Sequence, residues 1–112
     1  LNRLTDEGGR MLLEGLRDNG SLQLLNLSSN SLAGETTRSF AGLLRNPFCA
    51  LVAVDMSNND VDDTDVDVIQ EVVRDNLSLT SLDLRNNRVS KGNDTLQAIA
   101  STIRANELQL RK

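Results

Sequence analysis

Four asparagines set the terms on which this chain can fold. Asn2, Asn30, Asn59 and Asn87 follow one another at intervals of 28, 29 and 28 residues, and each stands in the same apolar frame. The frame is complete in Leu22-Gln-Leu-Leu25-Asn-Leu27-Ser-Ser-Asn30-Ser-Leu32 and in Leu79-Thr-Ser-Leu82-Asp-Leu84-Arg-Asn-Asn87-Arg-Val89. Between them, Leu51-Val-Ala-Val54-Asp-Met56-Ser-Asn-Asn59-Asp-Val61 carries Val54 and Met56 in two leucine positions, and a shortened copy survives as Asn2-Arg-Leu4. Self-similarity at this period marks stacked supersecondary units, none of which buries its apolar face alone.

Each unit reads as a short strand, a turn and a helix. Alternating apolar residues place strands near residues 23–27, 52–56 and 80–84. Helical spacing predicts helices over about 6–18, 35–46 and 64–75, from Met11, Leu12, Leu13 and Leu16 in the first. In the second, Phe40 and Leu44 take the places of Leu12 and Leu16; in the third, Val66, Ile69, Val72 and Val73 lie on the inner side. Thr5 and Asp6 are cap candidates for the first helix, and Asn19-Gly20 suits its end. In the last unit Ile99 and Ile103 come two residues late, which predicts a small insertion at Ser90–Asp94. Asn106 is expected to close the last helix, with Leu108 and Leu110 starting a further strand. The resulting segments are a partial repeat 1–21, repeats at about 22–50, 51–78 and 79–107, and the start of another unit at 108–112.

An asparagine that turns inward where the chain leaves a strand must have its amide satisfied, since an unpaired buried polar group costs about 1–3 kcal/mol. Neighbouring turns offer free backbone groups, so a ladder from Asn30 through Asn59 to Asn87 is expected.

These residues resemble the leucine-rich repeat superfamily, and within it the ribonuclease inhibitor-like class, whose units leave room for a full helix. The segment Pro47-Phe-Cys49-Ala-Leu51 is similar to a lead-in found in that class. The resemblance implies an α/β fold, a right-handed leucine-rich repeat solenoid with parallel strands on the concave side and helices on the convex side. It also implies protein binding: a non-catalytic protein-protein interaction scaffold, expected to be a fragment of a longer leucine-rich repeat array. The alternative within the class is a GTPase-activating or enzyme-inhibiting regulatory protein.

Composition narrows the partners. With 12 basic against 16 acidic residues and a net charge of −4, the chain has no basic run of the kind that tracks a phosphate backbone, so no nucleic acid partner is expected. No apolar stretch approaches the roughly 20 residues needed to cross a bilayer, so no membrane partner is expected either. Cys49 is alone, which excludes an internal disulfide and points to an intracellular, cytoplasmic setting, with cytoskeletal or ciliary association open. The partner is therefore another protein, or a second copy meeting the apolar faces of uncapped end repeats: Leu4, Leu12 and Leu16 at one end, Leu84, Ile99 and Ile103 at the other.

Strand positions that alternate away from the core form the candidate binding face: Leu24, Asn26 and Ser28, then Ala53, Asp55 and Ser57, then Ser81, Asp83 and Arg85, with Asn86 on the rim beside Ser29 and Asn58. Asp60, Asp62, Asp63, Asp65 and Asp67 form the one dense acidic cluster. Val68 and Arg74 fall where a calcium loop starting at Asp63 needs glycine and glutamate, so capping is the expected role and no metal site is expected. Arg17, Arg45, Arg74 and Arg104 recur where each helix ends, as cations complementing the helix dipole; an arginine finger for a GTPase is the functional alternative. No histidine is present to activate Cys49, and no phosphate-binding glycine loop occurs. No catalysis and no cofactor are expected.

Overall fold

The computed structural model describes residues 3–110, and of Leu110 the backbone alone. Asn2 and residues 111–112 of the expected further unit lie outside the described residues. The elements follow in the order α1 (Thr5–Gly15), β1 (Leu24–Asn26), α2 (Gly34–Arg45), β2 (Ala53–Asp55), α3 (Asp63–Val73), β3 (Ser81–Asp83) and α4 (Thr95–Leu110). The three strands form one parallel sheet in the order β1-β2-β3, with Leu25, Val54 and Leu82 in register. The helices pack in the same sequence, α1 on α2, α2 on α3 and α3 on α4.

Between sheet and helices lies a core of aliphatic side chains. Leu27, Met56 and Leu84 enter it just after the strands, Leu32 and Val61 from the turns, and Phe40, Leu44, Ile69 and Val73 from the helices. Gly9, in the first turns of α1, has a packing role. A Cβ there would come within 2.3 Å of Thr36 Oγ1 and 2.8 Å of the Leu32 side chain, so its bare backbone permits the close crossing of α1 and α2.

Strands of three residues make few ladder bonds, and the asparagine ladder supplies what they lack. Asn59 Oδ1 accepts from the N–H groups of Asn30 (2.8 Å) and Leu32 (3.0 Å) in the preceding coil. Its Nδ2 donates to the carbonyls of Leu27, Met56 and Ser57. Asn30 receives Leu4 N–H in the same way, and Asn87 receives Val61 N–H while donating to the Met56 and Leu84 carbonyls. Among the described residues no buried side-chain N or O atom lacks a hydrogen bond.

A second asparagine column, not anticipated from the sequence, holds the opposite bend where each helix returns to the sheet. Asn46 Nδ2 donates to the Arg17 carbonyl, Asn76 Nδ2 to that of Leu44, and Asn106 Nδ2 to those of Asn76 and Leu79. Within their own coils, Asn19 and Asn76 each accept two N–H groups of the following turn, and Asn46 accepts Phe48 N–H.

Two expectations are corrected at the C-terminal side. The last helix is 16 residues long and runs through Asn106 to Leu110, so Asn106 does not close it and Leu108 and Leu110 start no strand. The amide of Asn106 is committed to the preceding coil, and Glu107, Leu108, Gln109 and Leu110 are good helix formers with no glycine or proline to stop them. This long helix is also the only one whose backbone approaches a strand, β3, among the described residues. Leu84, Ile99 and Ile103, expected to be partly open, are consequently buried to 8%, 2% and 6% exposure. At the other end Met11 and Leu12 are exposed and Leu4 and Leu16 are half-buried. The insertion before α4 is present as a turn in which Asn93 N–H meets the Ser90 carbonyl and Gly92 adopts φ +83°.

In each complete coil the residue before the ladder asparagine is left-handed: Ser29 (φ 61°), Asn58 (58°) and Asn86 (59°). Asparagine tolerates this conformation and serine does so less well. Replacing Ser29→Asn is expected to stabilise the fold by about 0.5–1 kcal/mol. Asn59→Ala, which orphans partners on two coils, is expected to cost about 3 kcal/mol or more, against about 1–2 for Asn87→Ala at the less buried end of the column. Urea unfolding monitored by circular dichroism measures all three.

Candidate functional site: the outer face of the sheet

Parallel register aligns the outward side chains of the three strands into rows. Leu24, Ala53 and Ser81 form one row, and Asn26, Asp55 and Asp83 the next. Leu24 is 69% exposed, and because Ala53 and Ser81 are small a shallow depression of about 390 Å³ opens beside it, lined also by Asn26, Asp55 and Asp83. It presents an apolar shoulder, a small-residue floor and carboxylates along one side.

The second row is also structural. Asn26 Oδ1 accepts the N–H and hydroxyl of Ser28, Asp55 Oδ1 accepts those of Ser57, and Asp83 Oδ1 accepts Arg85 N–H. Each is a side chain bonding the backbone two residues on, which turns the chain out of the strand. One candidate is thereby corrected: Ser57 is only 6% exposed, its hydroxyl held by Asp55, and it offers no free surface. Ser28 is half-buried, while Arg85 and Asn86 are exposed. The identity of Asn86 is explained by its left-handed backbone.

Arg85 folds back on its own strand. Its Nε and Nη2 reach Asp83 Oδ1 and Oδ2 at 3.0 and 2.8 Å, a bidentate pair. The bonds from the Arg85 side chain, then its N–H, hold the Asp83 carboxyl below its usual range, and the side-chain bonds, then the Asp83 charge, raise the guanidinium.

The acidic cluster is spent at the helix starts. Asp62 and Asp65 form a reciprocal capping box on α3. Asp63 accepts from Ser90 N–H, Ser90 hydroxyl and Asn93 Nδ2, tying the inserted turn to α3, while Asp60 pairs with Arg88 and Asp67 accepts the Thr95 hydroxyl. Asp6, expected as a cap for α1, caps α2 instead: its carboxylate accepts the N–H groups of Ala33, Glu35 and Thr36 at the start of α2, whose own preceding residue, Ala33, cannot. Asp6 and Asp63 both stand four residues after a ladder asparagine; Gly34 fills that place in the coil between, and there α3 caps itself. The helix-end arginines, Arg17, Arg45, Arg74 and Arg104, are all exposed, and Cys49 is a free, half-buried thiol packed against the core. Among the described residues no three histidine, cysteine or acidic side chains are placed to hold a metal ion.

Of the expected face residues, then, the structure gathers Leu24, Asn26, Ala53, Asp55, Ser81 and Asp83 around one depression and leaves Ser28, Ser57, Arg85 and Asn86 on the turns beyond. Two models of the leucine-rich repeat match the chain, at residues 21–43 and 75–91. The chain is a leucine-rich repeat protein. The matched stretches contain the Asn30 and Asn87 frames, the two copies that are complete in sequence. No curated protein sequence matches this leucine-rich repeat protein. Among solved structures it is similar to leiomodin-1 actin-binding site 2, with a TM-score of 0.72 at 14% identity over 98% of this chain and 83% of that one. At that identity the likeness is one of fold.

The hydrogen-bonded carboxylates Asp6, Asp63 and Asp65 give the leucine-rich repeat protein a signed response to pH. For Asp6, burial raises the carboxyl, but the bonds from Thr36, Ala33 and Glu35 outweigh it and leave it below 3.8; for Asp63 the Ser90 and Asn93 bonds act in the same direction. Their stabilisation is complete above pH 3.8 and disappears as pH falls through their lower folded values. Asp65 behaves oppositely, because burial, then the nearby Asp62 charge, raises it, so its ionisation above the raised value penalises the fold. Asp65→Asn, which keeps an oxygen for the capping box, is expected to raise the melting temperature at pH 7. The gain should shrink on acidification and vanish below pH 3.8. Thermal melts of both proteins from pH 3 to 8 check the sign.

Proposed function

We propose that this chain is a non-catalytic protein-binding module that receives its partner on the outer face of the sheet. The observation that carries the reading is the depression at Leu24, Ala53, Asp55 and Ser81, open to solvent on a backbone tied by asparagine ladders at both bends. A rigid, preorganised surface with an exposed aliphatic shoulder loses little entropy on binding. Leucine-rich repeats are widely used to bind proteins, which supports the same reading.

The period of 28 to 29 residues with a helix in every coil favours the ribonuclease inhibitor-like class. Parallel strands joined by helical crossovers favour a right-handed winding, and helices being wider than strands favours a concave sheet face. On this reading the chain is a segment of a longer intracellular array, and its partner lies across several coils. Because the fold is similar to one named for actin binding, filamentous actin is a concrete first probe.

Ala53→Arg, placed at the centre of the face, is expected to weaken partner retention at least about tenfold, a cost of about 1.4 kcal/mol. Glu71→Lys, exposed on α3, should leave it unchanged. Quantitative affinity capture compares the three proteins, with actin co-sedimentation beside it; equal retention by the Ala53 variant and the parent excludes the sheet face.

A further inference from the structure

We propose that the partner presents an arginine to Asp55, with an aliphatic residue beside it seated in the depression between Leu24, Ala53 and Ser81. This rests on the sheet face being the binding surface and names the chemistry of what binds there.

The structure contains its own template for the contact. Asp55 and Asp83 are register partners on adjacent strands, and both use Oδ1 to hold the residue two positions on. At Asp83 that residue is Arg85, whose guanidinium closes over the carboxylate with Nη2 on Oδ2 at 2.8 Å. At Asp55 the same place holds Ser57, whose hydroxyl reaches only Oδ1. Asp55 Oδ2 is therefore left without a hydrogen bond among the described residues, on the central strand and at the edge of the depression. What the chain supplies to Asp83 from within, it leaves for another molecule to supply to Asp55.

The surroundings favour a cation with an apolar neighbour. Asp55, Asp83 and Arg85 carry a net charge of −1, and Asn26, the register partner on the other side, is neutral. Arg85 is already engaged bidentately, so an arriving guanidinium meets the one incompletely bonded carboxylate of the row. Arginine suits it better than lysine, because its planar fork bonds both carboxylate oxygens, as Arg85 does. Leu24, 69% exposed, and the floor made by Ala53 and Ser81 offer cover for one aliphatic side chain next to it.

The test uses a capped peptide, Ala-Arg-Leu-Ala, and the same peptide with citrulline, the neutral isostere, in place of arginine. Each is titrated into the ¹⁵N-labelled protein and followed by amide shifts. The arginine peptide should move the resonances of Leu24, Ala53, Asp55 and Ser57, and bind about two- to fivefold more tightly than the citrulline peptide, a preference erased by Asp55→Asn and by high salt. Asp55→Asn should fold normally, since Asn26 makes the same turn with an amide. Arg85→Ser, which frees Asp83, should strengthen arginine-peptide binding. Equal affinity for the two peptides, or shifts confined to Asp60–Asp67, overturns the proposal. If Asp55→Asn leaves partner capture intact while Ala53→Arg abolishes it, this assignment fails and the binding face stands. If neither affects capture, the face itself is wrong.

Discussion

The amide of one asparagine per coil, turned inward at the end of each strand, is what the rest of the structure depends on. A coil of this size has a three-residue strand and a helix that cannot bury its apolar face alone. Between them the backbone bends twice, and each bend exposes N–H and C=O groups that neither strand nor helix satisfies. Asn30, Asn59 and Asn87 serve one bend and Asn46, Asn76 and Asn106 the other, each bonding its own coil and the one before it. The preceding coil also supplied partners at the start of α2, through Asp6, and in the turn before α4, through Asp63. Adjacent coils are thus joined at the sheet, at both bends and at the helix starts, and the leucine core fills the space these bonds enclose.

This economy leaves little of each unit free for function. The inward leucines and ladder asparagines are committed, the position before each ladder asparagine is constrained by its left-handed backbone, and the aspartates of α3 are occupied with its own cap, the turn before α4 and Thr95. What remains variable is the outer row of the sheet, where Leu24, Ala53 and Ser81 differ in size while their backbones are held in register. Such a division separates stability from recognition: side chains can be exchanged in the row without disturbing a bond that supports it. The Asx turns blur the division at Asn26, Asp55 and Asp83, which both shape the strand exit and face solvent, and that double duty limits these places to Asn or Asp.

The repeat, the three strands, the first three helices and the Asn30–Asn59–Asn87 ladder were legible in the sequence because one spacing encodes them all. The second column is harder to see because its intervals, 27, 30 and 30 residues from Asn19 to Asn106, follow differences in helix and loop length. Its signal is an asparagine near the end of every helix, which resembles a local stop. The length of α4 is hidden for the same reason: an asparagine reads as a terminator until its amide is seen bonded to another coil. Alternation places Leu24, Ala53 and Ser81 on the outer face, yet it cannot show that Ser57, at an outward position, is drawn in by the Asp55 carboxylate. Nor can it show that Asp6 caps the next helix, a contact between residues 27 to 30 apart that only stacking brings about.

Native-state hydrogen exchange tests the ladders most directly. The N–H groups of Asn30, Leu32 and Val61 lie in turns, yet they are bonded to asparagine carbonyl oxygens of the following coil at 2.8 to 3.0 Å. If the ladders join the coils into one cooperative unit, these turn amides exchange only with global unfolding, as slowly as those within α2 and α3. Fast exchange at Leu32 and Val61 while the helices stay protected would show that the coils open individually, and would contradict a central role for the asparagines.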